Sequence, residues 1–137
     1  MNDKKFIEDY LNRYKKSLIE NDISDQMIQM KELLIGIKKK GKKVIIAGNG
    51  GSAAMASHVA VDLTKQGGVR AINFNEADLI TCFSNDYGYE NWVAKAIEFY
   101  GDEGDLVILI SSSGKSLNMI YAAQAAKKKK NSVITFT

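Results

Sequence analysis

The arrangement that most constrains this chain is a short apolar run that ends in a glycine- or serine-rich turn and passes at once into a helical pattern. It occurs at Val44-Ile45-Ile46-Ala47, followed by Gly48-Asn49-Gly50-Gly51-Ser52. It recurs at Leu106 to Ile110, followed by Ser111-Ser112-Ser113-Gly114-Lys115-Ser116. A continuous apolar run of this kind suits a parallel strand buried on both faces. The helical pattern after the first turn runs from about Ala53 to Lys65 and stops at Gly67-Gly68; the Ala-rich one after the second reaches about Lys130. Val69 to Phe74 reads as another strand and Ser132 to Phe136 as a fourth. Residues 76–100 read as mainly helical, interrupted at Ser84-Asn85-Asp86-Tyr87-Gly88. Strands alternating with helices form βαβ units, joined by right-handed crossovers. The expected fold class is α/β, a doubly wound parallel sheet.

Ahead of the first strand lie two amphipathic helical patterns. Phe6, Tyr10, Tyr14 and Leu18 stand four apart with Ile7 and Leu11 alongside, one apolar stripe over residues 3 to about 20. A second helix starts near Asp22 or Ser24, carries Ile23, Met27, Met30, Leu34 and Ile37, and ends at Gly41. Its alternating spacing is that of a seam between nearly parallel helices. Such faces need cover, and the pattern allows either their own sheet or another subunit. The domain expectation is one unit over 1–137, with 1–41 as a helical arm and 42–137 as the α/β core.

Composition narrows the function classes. With 45% apolar and 26% charged residues the chain reads as globular rather than disordered. The single cysteine, Cys82, excludes a disulfide framework. No long uncharged apolar run is present to span a membrane, and the charged first residues lack the apolar stretch of a signal peptide. The expected compartment is therefore the cytoplasm. The net charge of +3 raises a nucleic-acid partner, but the lysines cluster at Lys38 to Lys43 and Lys127 to Lys130. Both clusters fall where a helical pattern ends before a strand, where cations complement the helix dipole. No aromatic residue interleaves with them, so neither nucleic acid nor membrane is expected as a partner. The sequence stops at Ile134-Thr135-Phe136-Thr137, inside an apolar β-type run, which reads as a cut with a C-terminal part missing.

In an open parallel sheet, ligands bind beyond the carboxyl ends of the strands, where both loops belong. The first loop matches neither the dinucleotide fingerprint nor the P-loop, because both spacings fail. It is a close-approach loop: glycines let backbone amides face a ligand, and the helix N-terminus behind them favours negative charge. In the second loop, Ser111, Ser112, Ser113 and Ser116 supply more hydroxyls than a helix cap needs, which favours a charge-free phosphate cradle. His58 and Asp62 lie i,i+4 on the helix leaving the first loop, on one face. That pair suits acid/base work, two metal ligands completed from elsewhere, or a plain surface contact.

Taken together, these segments resemble the sugar isomerase (SIS) family, and within it the phosphoheptose isomerases. The resembling segments are Gly48-Asn49-Gly50-Gly51-Ser52, Ser57-His58-Val59-Ala60-Val61-Asp62-Leu63, Ser84-Asn85-Asp86-Tyr87-Gly88-Tyr89, Gly104-Asp105 and Ser111 to Ser116. The resemblance implies a flavodoxin-like fold with an N-terminal helical arm. It implies an isomerase that converts sedoheptulose 7-phosphate to D-glycero-D-manno-heptose 7-phosphate through an enediol, toward lipopolysaccharide heptose. By the same resemblance Ser111, Ser113 and Ser116, with Ser112 nearby, hold the phosphate. Asn49, Gly51 and Ser52 line the sugar end, with Asp86 near the sugar. Asp62 stands where the family usually has a Glu as general base, and His58 where it has a His that can ligate zinc. Zinc is thus the implied cofactor, with His58 and Asp62 as its ligands in this chain. A homo-oligomer, a tetramer with sites between subunits, is the implied assembly.

The chain departs from the family pattern in named places. Asp62 is one methylene shorter than Glu, and Gln66 stands where the phosphoheptose isomerases tend to carry an Arg. The family's second catalytic group, a His, and a further metal ligand, a Gln, belong to a segment beyond Thr137. The alternative class is a non-catalytic phosphosugar-binding member of the same fold or a partner of the replication initiator; another phosphosugar reaction, such as aminosugar isomerisation, is a third.

Overall fold

A computed structural model describes residues 2–137. The elements run α1 (Asp3–Leu18), α2 (Ser24–Lys39), β1 (Val44–Gly48), α3 (Gly51–Lys65), β2 (Ala71–Ile72), α4 (Ala77–Tyr87), α5 (Trp92–Tyr100), β3 (Leu106–Ile110), α6 (Leu117–Lys128) and β4 (Ser132–Phe136). The chain divides into two compact units, one ending at Lys31 and the other spanning Glu32–Thr137. In the first, the Asn2 side chain accepts the Lys5 amide and caps α1. Asp22 accepts the Ser24 amide at 2.9 Å at the start of α2. Phe6, Tyr10, Leu11, Tyr14 and Leu18 are all more than half exposed.

The second unit is the expected parallel α/β sheet, in the order β2-β1-β3-β4. β1 and β3 pair over their full length, from Val44 opposite Leu106 to Gly48 opposite Ile110. Every residue of β1 is buried, as the unbroken apolar run requires. Ile45, Val107 and Leu109 join Trp92, Val93, Ala96 and Ile97 of α5 and Met119, Ala122 and Ala126 of α6 in one core. Full burial of each large side chain among them is worth about 1.5–3 kcal/mol.

At the amino edge of the sheet, opposite the loops of interest, the starts of β1 and β3 are locked by a buried carboxylate. Asp105 is fully buried and accepts the backbone amides of Lys43 at 3.0 Å and Asp102 at 2.8 Å. The Lys43 ammonium lies 2.7 Å from Asp105 and 2.6 Å from Asp102. Partial burial alone would lower the Lys43 pKa, but hydrogen bonds to Asp102 and Asp105 and the charges of both outweigh it and raise it. The hydrogen bond from Lys43, then its charge, hold Asp102 below the ordinary carboxylate value.

Local departures from the sequence pattern have physical causes. The strand expected from Val69 to Phe74 shortens to Ala71–Ile72. Asn73 ends it by accepting the Asn75 amide on its own side chain, a turn that competes with the ladder. Thr64 occupies the remaining edge groups of Ala71, accepting its amide and donating to its carbonyl. Ser84, Asn85 and Asp86, expected in a break, lie inside α4. The Phe83 and Tyr87 rings, i,i+4, meet edge-on at 5.7 Å, and the helix stops only at Gly88 with φ 85°. The second lysine cluster is not purely a solvated corner: Lys129 reaches across to donate to the carbonyls of Glu98, at 2.7 Å, and Gly101, capping α5.

Candidate active site

Strand order fixes where a ligand can sit. From β1 the chain moves outward to β2, then crosses back to β3 on the other side of β1, so the order reverses between β1 and β3. Ligands of open parallel sheets occupy the crevice at such a switch point, beyond the carboxyl ends of the strands. Gly48 and Ile110, the last residues of β1 and β3, are register partners, so the two Gly/Ser loops emerge side by side.

The first loop turns tightly. Gly50 has φ 54°, a conformation that favours glycine, and α3 begins at Gly51. Asn49 closes the turn by accepting the Ser52 amide on its carbonyl at 3.0 Å. Gly51 is exposed and Ser52 half-buried, at a helix start whose leading amides lack intrahelical partners. The Asn49 side chain does not lie open in the crevice. Its Oδ1 accepts the Asn118 amide at 2.8 Å and the Tyr89 hydroxyl at 3.2 Å, while its Nδ2 donates to Asn118 at 3.0 Å.

The second loop is a turn in which the Gly114 amide donates to the Ser111 carbonyl at 3.0 Å. Ser111 and Ser116 face each other across it, their hydroxyls 3.3 Å apart. Ser113 accepts the Lys115 amide, and Ser112 is exposed. Four serines therefore surround the start of α6, two paired with each other and one engaged by its own loop. A groove of about 240 Å³ adjoins this loop on the β4 side, with Ser111, Gly114, Met119, Ile120, Thr135 and Thr137 among its lining. Asn49, His58, Asp62 and Asp86 take no part in it.

On α3, His58 Nε2 lies 3.4 Å from Asp62 Oδ2, with side chains 80% and 47% exposed. That exposure matters, because a carboxylate in water is a weak base for a carbon acid. Asp86, in the last turn of α4, bonds locally: Asn85 donates to it at 2.9 Å, and the Cys82 sulfur lies 3.7 Å away. Local desolvation, then the charge of Asp86, push the Cys82 thiol up. The zinc site that the resemblance implies finds two donors together in this chain, His58 and Asp62. Among the described residues no group of three His, Cys, Asp or Glu side chains is close enough to hold a metal. A tetrahedral site needs more protein ligands than His58 and Asp62 supply.

Residues missed in the sequence are the polar ones that brace the loops. Asn118, only 3% exposed, and Tyr89 hold Asn49, while Asn75 donates to Ser57 at 2.7 Å and to the Ala53 carbonyl at 2.9 Å, pinning the first turns of α3. Asn118 stands two residues after Ser116, and that adjacency was the only available signal.

Comparison with known proteins agrees with this architecture. The family model of the SIS domain matches residues 8–137. The phosphoheptose isomerase of Hamiltonella defensa is 41% identical over 118 residues, covering 82% of this chain and 57% of that protein. That of Histophilus somni is 38% identical over 136 residues, covering 95% of this chain and 68% of that protein. Among solved structures, phosphoheptose isomerase GmhA from Neisseria gonorrhoeae superposes with a TM-score of 0.82 at 30% identity, covering 96% of this chain and 70% of that one. A phosphoheptose isomerase from Francisella tularensis gives 0.88 at 26% identity, covering 98% of this chain and 75% of that one. The chain thus spans less than two thirds of the length of the Hamiltonella relative.

Proposed function

The chain belongs to the SIS-domain family, and from that membership we propose that the protein is a phosphosugar aldose–ketose isomerase acting on sedoheptulose 7-phosphate. The observation that carries the proposal is the pair of Gly/Ser loops side by side at the β1/β3 switch point. The name shared by the relatives, phosphoheptose isomerase, supplies the substrate. The Ser111–Ser116 loop, with Ser112 and Ser113, takes the phosphate on hydroxyls and the N-terminus of α6. Gly51, Ser52 and the Asn49 amide face the sugar end, and Asp86 completes that side.

Isomerisation removes a proton from the carbon beside the carbonyl and returns it to the neighbouring carbon, through an enediol. Asp62 is the base that takes this proton. Asp62 keeps this proton and returns it to the neighbouring carbon, while the hydroxyl proton passes from one sugar oxygen to the other; His58, 3.4 Å from Asp62, is the group that carries it. Amides at the start of α3 stabilise the negative charge that develops on the enediol oxygen. The proposal extends to a cytoplasmic protein in lipopolysaccharide heptose formation and to a homotetramer. The exposed apolar stripe of α1 supports the assembly. Among the described residues no helix is long and apolar enough to cross a membrane.

The test is conversion of sedoheptulose 7-phosphate by the wild type and by Asp62→Asn. Loss of the base is expected to lower turnover by about 100-fold or more while phosphosugar binding persists. An unchanged rate in Asp62→Asn removes Asp62 from the mechanism. A wild type that binds the sugar phosphate without turning it over favours a phosphosugar-binding role, in keeping with the exposure of the His58–Asp62 pair.

A further inference from the structure

The two ligand loops are joined by side chains 69 residues apart in sequence. Asn49, in the first loop, and Asn118, in the opening turn of α6, exchange hydrogen bonds of 2.8 and 3.0 Å in a reciprocal amide pair. Tyr89, just after the helix-ending Gly88, adds its hydroxyl to the same Asn49 oxygen from the solvent side, where it is 55% exposed. A primary amide offers two acceptor sites and two N–H donors. Both acceptor sites of Asn49 are filled and one donor is used, so a single N–H remains. The amide is locked in one orientation and meets a ligand only as a donor.

We infer that Asn118 and Tyr89 are positioning residues that aim the last Asn49 N–H at a hydroxyl or carbonyl oxygen of the bound sugar phosphate, an inference that rests on the phosphosugar function proposed above. Asn118 does this from the helix that follows the serine loop. Its action on the sugar end runs through Asn49. The Ser111–Ser116 hydroxyl pair is a separate interaction, so the phosphate cradle stands apart from the amide pair. If Asn118 is lost, the half-buried Asn49 amide keeps only the single bond from Tyr89 and is no longer fixed in one orientation. The cost falls on ligands that carry a sugar, and bare phosphate is spared.

Isothermal titration with two probes, inorganic phosphate and sedoheptulose 7-phosphate, separates these effects. The wild type is expected to bind the sugar phosphate more tightly than phosphate alone. Asn118→Ser and Tyr89→Phe are each expected to weaken sedoheptulose 7-phosphate binding by about tenfold, with phosphate affinity kept within about twofold. Adding Asn118→Ser to Asn49→Ala is expected to produce no further loss, because both substitutions break one interaction. A purely structural Asn118 would instead weaken both probes alike, or add its full effect in the Asn49→Ala background, and either result overturns the inference. If Asn118→Ser fails to fold, as read by circular dichroism, the exposed Tyr89→Phe carries the same comparison. A wild type with no preference for the sugar phosphate overturns the phosphosugar function and this inference together. A preference that survives Asn118→Ser and Tyr89→Phe overturns the inference alone.

Discussion

Gly48 shows how one residue places a helix. A Cβ built there would stand 2.7 Å from the Ser52 backbone carbon and 2.8 Å from its carbonyl oxygen. Only a glycine lets α3 turn back this closely over the end of β1 and present its first amides beside the serine loop. Gly48→Ala must push the helix away, an overpacking cost of about 2 kcal/mol. The expected result is a lower urea midpoint with the slope of the transition unchanged, and an unaltered midpoint would show that the turn yields freely. Asn49 carries a second lesson at this scale. The resemblance placed it at the sugar end, yet its side chain is mostly committed to Asn118 and Tyr89. What it can offer a ligand is narrower than its identity suggests.

Among the elements, α1 and α4 depart most from ordinary expectation. α1 carries a long apolar stripe that is more than half exposed, and its Tyr10 and Tyr14 rings stack at 6.4 Å. An isolated helix of this length is marginal in water, and an apolar stripe this long calls for a covering surface. With the proposed homotetramer as that cover, Tyr10→Lys with Tyr14→Lys is expected to reduce the assembly to a smaller species by light scattering. The far-ultraviolet circular dichroism should remain helical and α/β. A mass that stays unchanged would take α1 out of the interface. α4 carries Asp86 on a helix, whereas the sequence pattern put it in a break. Helical placement fixes its direction and brings Cys82, four residues earlier, against it.

For the molecule as a whole, the sheet is anchored at the start of its strands and carries its Gly/Ser loops at their far ends. The Lys43–Asp105–Asp102 cluster ties the starts of β1 and β3. Lys43 has a raised pKa, so its contribution to stability is complete below the ordinary lysine value of about 10.4 and is lost as pH rises through the raised one. Asp102 has a lowered pKa, so its share is present above about 3.9 and is lost as pH falls through the lowered value. Lys43→Met leaves the buried Asp105 charge without its cation, an expected loss of about 3 kcal/mol at neutral pH. The Lys43 share of the fall in stability above pH about 10 should vanish in the variant. Urea unfolding across pH 5 to about 11 checks both, and an alkaline limb of undiminished steepness in Lys43→Met would place its origin elsewhere.

The sequence by itself determined the elements whose causes are local. Unbroken apolar runs at Val44–Ala47 and Leu106–Ile110 set buried parallel strands, and the glycines and serines after them set tight loops at helix starts. The i,i+4 spacing set His58 beside Asp62. Tertiary structure decided whatever depends on a partner far along the chain. The shortening of β2 to two residues by Asn73 and Thr64 is the exception, made by bonds two and seven residues apart that the strand pattern does not show. Gly104-Asp105 stands in the sequence as one of the resembling segments with no role attached, and only the fold buries Asp105 against Lys43, 62 residues away. Asn118 reads as a helix-surface amide until β1 and β3 pair and bring it onto Asn49. A hydrogen bond between such distant residues leaves no period and no spacing in the sequence, because its energy is gained only once the strands between them are in register.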